Sequence, residues 1–483
     1  MSEKQDLQIR EACLETILPV MKGEEFSHVL IKAVLDKNDD WEGSQKAFYK
    51  KLTMGVIERR IELDYCISGF CNHPINKLKP VIRTILEMGA YQVLFMDQVY
   101  DTKACNLSVE LAKKKGFKNL AGFVNGVLRS LSREKEKIAY PDAAKEPVKY
   151  LSVRYSMPEP IVEKLLSQYD YATCERMFAD ALLENSLSIR TRGGEADVIK
   201  RLKESGFEVT AHAFLPGAYT VAHTKGVETL PGFAEGEFTI QDAASQLVGY
   251  LAPVKAGDVV FDVCAAPGGK SIHLADRLRD ARTGANQPAG TNQPVGTNLP
   301  AGTNLPAGTV YAFDVSEKKA DRIRENAARM KADNVIVRVQ DATEENAEYF
   351  EKADLLIADL PCSGLGVIGR KPDLKYRLKE EDFTEIVKLQ RAILANVVKY
   401  VKKGGYLLYS TCTVNRDENT DQVAWAVENL PLRQVAFDRL SKELSGNLVY
   451  TGGNKKDTDA AAIRILPGDF GCDGFFLALF KKV

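Results

Sequence analysis

The sequence predicts a multidomain protein with an all-helical N-terminal bundle, a small α+β middle module and a C-terminal α/β domain on a doubly wound parallel sheet. Three observations predict this organisation. The 483 residues exceed what one ordinary core holds. Residues up to about 137 place apolar side chains at helical spacing, whereas residues from 238 onward alternate strand and helix patterns. We place the domain bounds at 1–138, 139–236 and 237–483.

The composition describes a globular protein of balanced charge. Hydrophobic residues make up 45% and the net charge is −1, which argues against a wholly basic nucleic-acid coat. Nine cysteines with no C-x-x-C pair disfavour a disulfide framework and a zinc ribbon, so we expect no metal. A polar N-terminus and the absence of a run of about 18 apolar residues disfavour a membrane span. We therefore expect a cytoplasmic protein, and nothing in the sequence obliges a dimer, so a monomer is expected.

Helical periodicity defines the N-terminal bundle. Apolar residues recur between Leu7 and Leu18, a further apolar helix runs through Val81 to Met96, and the segment ends with Gly122 to Leu131. The densest basic cluster lies between Lys113 and Lys118. A solvated helix face explains such a cluster, and contact with RNA is the alternative.

The middle segment combines an irregular start with a mixed pattern. Pro141, Pro147, Pro158 and Pro160 predict an irregular connection. After it come a strand, a helix and a second strand, which indicate a small α+β module: Leu187–Arg192, Ala196–Glu204 and Phe207–His212. Arg190 and Arg192 could face phosphate, or they could belong to an ordinary surface strand.

The C-terminal domain alternates strands with helices, and ligands of such sheets bind beyond the carboxyl ends of the strands. Predicted strands are Val259–Val263, Val310–Asp314, Val335–Gln340, Asp354–Ala358 and Gly405–Thr411, with a long helix at Phe383–Val401. A six-residue near-repeat at Gly284–Gly308 interrupts the pattern. Its glycine and proline content cannot build a core, so we expect a disordered surface loop.

A glycine turn, DVCAAPGGK at Asp262 to Lys270, follows the first of these strands. Its small residues let the backbone approach a ligand at the N-terminus of the next helix. Gly269, Lys270 and Ser271 fit the end of a phosphate-binding G-x-x-x-x-G-K-[ST] loop, but Cys264 stands where that loop needs glycine. A nucleoside cofactor is therefore favoured over ATP or NAD. A tight turn without a ligand is the alternative.

Acids close three successive strands. Asp314 ends YAFD, Asp341 ends RVQD and Asp359 ends LLIAD. An acid after the second strand of such a sheet can accept hydrogen bonds from ribose hydroxyls. Each acid could instead cap a helix, but three beside a glycine turn favour a shared pocket.

Two cysteines lie at strand ends. Cys362 follows Pro361, and Cys412 follows Thr411, so their side chains are expected at the ligand crevice. A buried structural cysteine is the ordinary alternative, which we accept for most of the others. A thiolate adding to an electrophilic ring carbon is the covalent chemistry that fits this pair.

Several of these runs together resemble the Sun-type family of RNA cytosine-C5 methyltransferases. The runs are FTIQDAASQL, DVCAAPGGK, DLPCSGLG with GRKPDLKY after it, STCTVNRDEN and RILPGDFGCDGFFLALFKK. The bundle, with GFVNGVLRSL, resembles the antitermination factor NusB. The resemblance covers nearly the whole chain and is weakest between 138 and 236. The repeat is not part of the family pattern, and Cys472 stands where a small residue is expected.

The resemblance implies a NusB-like RNA-binding domain, an RRM-like middle module and a Rossmann-like methyltransferase domain. The implied activity is methylation of 16S rRNA, or its small-subunit precursor, at C5 of cytosine 967. Cys412 would be the nucleophile that adds to C6 of the base, Cys362 would serve product release, and Asp359 would hydrogen-bond the N3 edge of cytosine. S-adenosylmethionine would be bound by Cys264, Ala265, Ala266, Pro267, Gly268, Gly269, Lys270, Asp314, Asp341 and Asp359.

Other functions stay open from the sequence. The same chemistry could act on tRNA. A methyltransferase for a small molecule or protein would not need two strand-end cysteines or two accessory domains. A non-catalytic RNA-binding factor would have no use for those cysteines or for the strand-end acids.

Overall fold

The computed structural model describes residues 3–183, 186–192, 195–213, 215–222, 226–283, 308–437, 449–451 and 462–483. The chain divides into two compact units. The first comprises Met1–Leu183 and Ile368–Lys379, and the second comprises Glu184–Val367 and Glu380–Val483. The predicted repeat loop at 284–308 lies, except for Gly308, outside the described residues.

The first unit is helical, as its periodicity predicts. Leu14, Ile17, Ile85 and Leu128 lie in its core with no exposed surface, each on the apolar face of its helix. Its helices are α1 (Glu3–Met21), α2 (Ser27–Lys37), α3 (Gly43–Glu58), α4 (Arg60–Ser68), α5 (Pro80–Phe95), α6 (Asp101–Lys114), α7 (Ala121–Glu134), α8 (Pro147–Arg154), α9 (Glu159–Leu166) and α10 (Tyr171–Asp180). Among the residues that the structure describes, no helix has both the length and the apolar composition needed to cross a bilayer.

The prediction of an irregular connection across the four prolines is wrong in part. Pro147 and Pro160 lie in the first turns of α8 and α9. The first turn tolerates proline because its N–H groups have no partner within the helix, and the fixed φ of proline suits a helix start. These prolines therefore begin helices.

A short segment that follows the Cys362 run in the chain belongs to the first unit. This segment, Ile368–Lys379, we call the strap. Helix α2 has no capping side chain of its own, and Asp373 of the strap supplies one: its carboxylate accepts hydrogen bonds from the Ser27 backbone N–H (3.2 Å) and hydroxyl (2.7 Å). The Arg377 guanidinium lies 4.0 Å from the centre of the Phe26 ring.

The lysine cluster that the sequence offered as an RNA contact is largely neutralised. Lys114 and Lys115 lie 2.6 and 2.7 Å from carboxylate oxygens of Glu11, and Lys113 pairs with Glu110. These three lysines therefore have carboxylate partners, as expected of a solvated helix face. Contact with RNA stays the alternative prediction.

The second unit contains a small antiparallel sheet of four strands. Its spatial order is β2-β3-β1-β4, with helix α11 (Glu195–Glu204) between β1 and β2 in the chain. The strands are β1 (Leu187–Thr191), β2 (Glu208–Ala211), β3 (Ala218–Ala222) and β4 (Phe238–Ile240). β4 pairs with β1 although it begins after residue 236. The bounds of the three predicted domains stay predictions.

The large sheet of the second unit carries the site. Its order is β11-β12-β13-β9-β8-β5-β6-β7, with β10 also paired to β13. The strands are β5 (Val259–Asp262), β6 (Thr309–Asp314), β7 (Val335–Val339), β8 (Ala353–Asp359), β9 (Val401–Thr411), β10 (Leu432–Val435), β11 (Val449–Thr451), β12 (Ala462–Ile465) and β13 (Phe475–Lys482). The helices are α12 (Ala243–Leu251), α13 (Gly269–Thr283), α14 (Glu317–Arg329), α15 (Glu380–Val397) and α16 (Thr420–Asn429).

The predicted parallel, doubly wound arrangement holds for β5 to β9, the first five strands of this sheet in chain order. β5 pairs in parallel with both β6 and β8, so the chain order reverses beside β5. That reversal opens a crevice outside the carboxyl ends of β5 and β8. The remaining strands are antiparallel, which the prediction missed: β13 is an apolar run that pairs with β9.

Candidate active site

The two sequence-predicted thiols lie side by side at the carboxyl edge of the large sheet. Cys362 follows β8 and Cys412 follows β9, and these strands are parallel neighbours. Loops that leave the same edge of adjacent parallel strands come together, and here the two Sγ atoms are 3.3 Å apart. The structure therefore brings together two residues that are separated by 50 positions in the chain.

The glycine turn packs against the same edge, between β5 and α13. Gly268 has φ of 104°, a left-handed conformation that favours glycine, and its N–H donates to the Ala265 carbonyl (2.7 Å). A Cβ at Gly268 would lie 3.2 Å from a methyl carbon of Ile323. The turn then leads into α13, whose first residues include Lys270.

Two strand-end acids adjoin the glycine turn. Asp314, at the end of β6, accepts hydrogen bonds from the backbone N–H groups of Ala266 (3.0 Å) and Val315 (2.8 Å), and Lys319 lies 3.0 Å away. Asp262, at the end of β5, accepts a hydrogen bond from the Ser271 hydroxyl (2.6 Å). Its second oxygen, Oδ1, is buried and has no hydrogen-bond partner. Burial raises the pKa of Asp262 to about 7.

Cys264 and Asp341 have different surroundings. Burial, followed by the charges of Asp262 and Asp314, raises the pKa of the Cys264 thiol well above its usual value, so this cysteine is a neutral part of the pocket wall. Asp341 has local contacts: its Oδ1 accepts hydrogen bonds from the Thr343 hydroxyl (2.7 Å) and backbone N–H (2.8 Å), which lowers its pKa. Its cofactor role stays a prediction.

Asp359 links the glycine turn to β9, two residues before Cys412. One oxygen accepts a hydrogen bond from the Lys270 ammonium (2.7 Å), and the other accepts one from the Ser410 hydroxyl (2.7 Å). Although burial opposes it, the net effect of Asp359, Asp262 and Cys412 raises the pKa of Lys270. The same attraction between Lys270 and Cys412 stabilises a thiolate at Cys412.

The surroundings of the two thiols are electrostatically unequal. The pKa of the Cys362 thiol is raised well above its usual value by the hydrogen bond with Cys412, by burial and by the nearby Glu418 carboxylate. The Lys270 ammonium therefore acts on Cys412, and the Glu418 carboxylate acts on Cys362. The raised pKa holds Cys362 in the neutral form, while the attraction to Lys270 favours negative charge on Cys412.

Close backbone contacts lock three loops of the site together. The Gly366 N–H donates to the Cys412 carbonyl (3.1 Å), and the Gly474 N–H donates to the Gly366 carbonyl (2.8 Å). A Cβ on Gly366 would lie 2.2 Å from the Gly474 oxygen, so only glycine allows this approach. The closing run of the chain is thereby part of the site.

Sequence reasoning missed two buried acids. Asp262 ends a strand, as Asp314 and Asp359 do, so the same strand-end signal could have identified it. Glu418, six residues after Cys412, contacts both cysteine loops, but its sequence position carries no such signal. Within the described residues, no group of three or more His, Cys, Asp and Glu side chains could hold a metal ion.

Comparisons with family models match both ends of the chain. Residues 7–133 match the model described as the NusB family. Residues 296–481 match the model described as 16S rRNA methyltransferase RsmB/F.

Curated proteins match along the whole length. A Bacillus subtilis protein named probable ribosomal RNA small subunit methyltransferase B is 30% identical, and the alignment covers 98% of each chain. The ribosomal RNA small subunit methyltransferase B of Vibrio cholerae is 27% identical over 99% of this chain and 98% of its own.

Solved structures share the fold. The crystal structure of PH0851 has a TM-score of 0.75 at 23% identity and covers 98% of both chains. A methyltransferase homolog protein from Pyrococcus horikoshii has a TM-score of 0.53 at 22% identity, over 70% of this chain and 99% of its own.

Proposed function

The chain belongs to the ribosomal RNA small subunit methyltransferase B family, and on that premise we propose that it methylates C5 of one cytosine in 16S rRNA through a covalent Cys412–cytosine bond. Both resemblances drawn from the sequence, to NusB and to the RNA methyltransferases, are confirmed. The chain is thus an S-adenosylmethionine-dependent rRNA methyltransferase. The covalent step and the target, cytosine 967, belong to the proposal.

The residues at the carboxyl edge fit S-adenosylmethionine, which supplies an electrophilic methyl group on a sulfonium. The buried Oδ1 of Asp262 lacks a partner, and the glycine turn leads into the N-terminus of α13. Asp314 lies at the end of β6, where an acid can accept hydrogen bonds from ribose hydroxyls. Asp262, Asp314 and the glycine turn would hold the cofactor, with Asp359 and Lys270 beside it.

The observation that carries the proposal is the pair of thiols 3.3 Å apart with opposite charges acting on them. C5 of cytosine is a weak nucleophile, so a methyl group is not transferred to it directly. Addition of the Cys412 thiolate to C6 makes C5 electron-rich, and C5 then takes the methyl group. A base then takes the C5 proton, and the electrons of that C–H bond form the C5–C6 double bond as the S–C6 bond breaks. This releases the methylated base and restores the Cys412 thiolate.

The neutral Cys362 suits the release step. A thiol 3.3 Å from the Cys412 sulfur can donate a hydrogen bond to it as the S–C6 bond breaks. That bond favours departure of Cys412, because negative charge returns to its sulfur at that moment. We assign Cys362 to release on this basis.

Asp359 is proposed to orient the base. With both oxygens already hydrogen-bonded, its carboxylate is held rigidly at the edge from which the thiols project. A fixed carboxylate there can accept a hydrogen bond from the N4 amino group, on the edge of cytosine that carries N3, and so orient the base for addition.

The target base must leave its stack to reach Cys412, so we propose an unpaired cytosine of the small-subunit RNA or its precursor. The NusB-like helices are proposed to bind that RNA. A monomeric state and a cytoplasmic location stay predictions from the sequence.

Transfer of labelled methyl from S-adenosylmethionine to unmodified 16S rRNA tests the proposal, with tRNA as the competing substrate. We expect label on one cytosine, at position 967, and its loss with Cys412→Ala. Label on tRNA alone would show that 16S rRNA is not the substrate, and it would leave the proposed methylation of cytosine C5 in place. Label on rRNA at any position other than cytosine C5 would refute the proposed reaction.

A further inference from the structure

Glu418 is a buried carboxylate that lies between the two cysteine loops and that the mechanism above does not use. Its Oε2 accepts hydrogen bonds from the Ser363 backbone N–H (2.8 Å) and the Gln390 amide (3.2 Å). Its Oε1 accepts them from the Ser363 hydroxyl (2.5 Å) and the Asn415 amide (2.9 Å). One side chain therefore joins the Cys362 loop, the Cys412 loop and helix α15.

A second set of contacts fixes Cys412 from both sides. The Thr413 hydroxyl lies 2.7 Å from the Ser363 hydroxyl, and the Thr411 hydroxyl donates to the Asn419 side chain (2.6 Å). The Asn419 amide donates to the Thr413 carbonyl (2.9 Å). Cys412 thus sits between two anchored threonines, and Glu418 determines where Cys362 lies relative to it.

A charged group at this place needs an explanation. Burial of a carboxylate is costly, and neutral side chains could have joined the loops without that cost. Burial raises the pKa of Glu418, while hydrogen bonds from Ser363, Asn415 and Gln390 limit the rise. What a carboxylate adds is negative charge close to Cys362, which disfavours a second thiolate beside Cys412.

We propose that Glu418 is a positioning residue for product release, which fixes Cys362 against the Cys412 sulfur while the methylated cytosine departs. This inference rests on the proposed function. Glu418 contributes to release through Ser363, the residue next to Cys362, and does not itself contact the base. Its loss should therefore slow release more than methyl transfer.

The test compares three variants with wild type under single-turnover conditions, with unmodified 16S rRNA and S-adenosylmethionine. Glu418→Gln keeps the side-chain size but puts an amide where one pair of donors points. Ser363→Ala removes one hydrogen bond to Glu418, together with the contact between the Ser363 and Thr413 hydroxyls, and leaves the carboxylate in place. Glu428→Gln, on the exposed face of α16, is the matched control. Methyl transfer is followed by label, and the covalent protein–RNA adduct by denaturing gel electrophoresis.

We expect decay of the Glu418→Gln adduct to be about 10- to 100-fold slower than in wild type, the range for loss of a hydrogen bond to a charged group, and its methyl transfer to be slowed much less. Ser363→Ala should slow decay less, and Glu428→Gln should not slow it. Calorimetry with S-adenosylmethionine checks that the site is folded. If Glu418→Gln does not bind S-adenosylmethionine, the rate at which the Ser363→Ala adduct decays decides whether the inference holds.

Adduct decay at the wild-type rate in a folded Glu418→Gln, or equal losses in methyl transfer and release, would overturn the inference. A parallel experiment with Cys362→Ala distinguishes failure of this inference from failure of the proposed function. If Cys362→Ala accumulates the adduct and Glu418→Gln does not, only the inference fails. If no variant forms an adduct, the covalent mechanism itself fails.

Discussion

At the residue scale, opposite charges give two chemically identical thiols different roles. Lys270 interacts favourably with a thiolate at Cys412, while Glu418 acts against one at Cys362. At the Sγ–Sγ distance of 3.3 Å either sulfur can donate a hydrogen bond to the other, so a charge that acts on one thiol also affects its partner. The division of labour proposed for the two thiols thus depends on neighbours that lie elsewhere in the sequence.

Replacement of Asp314 by alanine should weaken binding of S-adenosylmethionine about 10- to 100-fold, because a charged acceptor at the end of β6 is lost. Isothermal calorimetry measures the dissociation constant directly. Asp333→Ala, at an exposed position of the same unit, is the control and should bind as wild type does. An unchanged dissociation constant for Asp314→Ala would remove this residue from the cofactor site.

Replacement of Gly366 by alanine should separate the loops that hold the thiols, because the new Cβ would lie 2.2 Å from the Gly474 oxygen. We expect a loss of about 1–3 kcal/mol in the free energy of unfolding and a lower kcat. Urea unfolding and methyl-transfer assays measure both. Gly126→Ala, in α7 with open space at its Cβ, is the control and should keep both the free energy of unfolding and kcat of wild type. A wild-type kcat in Gly366→Ala would contradict the interpretation.

How far the site could be predicted depends on whether local signals mark its residues. Asp314, Asp359, Cys362 and Cys412 were predictable because parallel strands bring their carboxyl ends to one edge. The role of Glu418 was not, because it arises from hydrogen bonds between loops whose meeting no local pattern encodes.

At the scale of elements, a short segment completes a helix far away in the chain. The strap caps α2 through Asp373, whose partner Ser27 is 346 positions distant. Lys375 of the strap is buried and donates to the Glu58 carbonyl (2.7 Å). The sequence marked this run only by its family resemblance, and its packing in the first unit could not be predicted.

Asp373→Ala should destabilise the first unit by about 1–3 kcal/mol, because the Ser27 N–H and hydroxyl lose their acceptor. Urea unfolding measures the change. Ser27→Ala and the double variant complete a thermodynamic cycle, and the two single losses should not add. Additive losses would show that the two residues do not interact.

The elements themselves were predicted unevenly, for physical reasons. Amphipathic helices have a clear period and strands of a buried parallel sheet are short apolar runs, and α5, α11 and β8 lie within a few residues of their predicted bounds. The antiparallel strand β13 was missed because a continuous apolar run does not reveal the direction of its partner.

At the scale of the whole molecule, the chain combines a helical NusB-like unit with a methyltransferase unit whose parallel strands reverse their order beside β5. The glycine turn, the acids and the thiols all follow strands that end at the same edge of the sheet. This placement brings motifs that are distant in the chain to one edge.

Deletion of the repeat at 284–308, with a short Gly-Ser linker in its place, should leave folding and methyl transfer unchanged. In the chain it separates α13 from β6, and insertions between two elements are tolerated. The rate of methyl transfer to 16S rRNA and the thermal unfolding temperature measure the effect. A loss of activity in a folded deletion variant would assign the repeat a role in substrate binding.

The most direct test of the covalent mechanism is the adduct formed by Cys362→Ala with unmodified 16S rRNA and S-adenosylmethionine. We predict a stable protein–RNA species on denaturing gels, with mass spectrometry locating the bond at Cys412 and the RNA carrying the new methyl group. Cys362→Ala,Cys412→Ala should form none. A bond at another residue, or full turnover by Cys412→Ala, would contradict the assignment of Cys412 as the nucleophile.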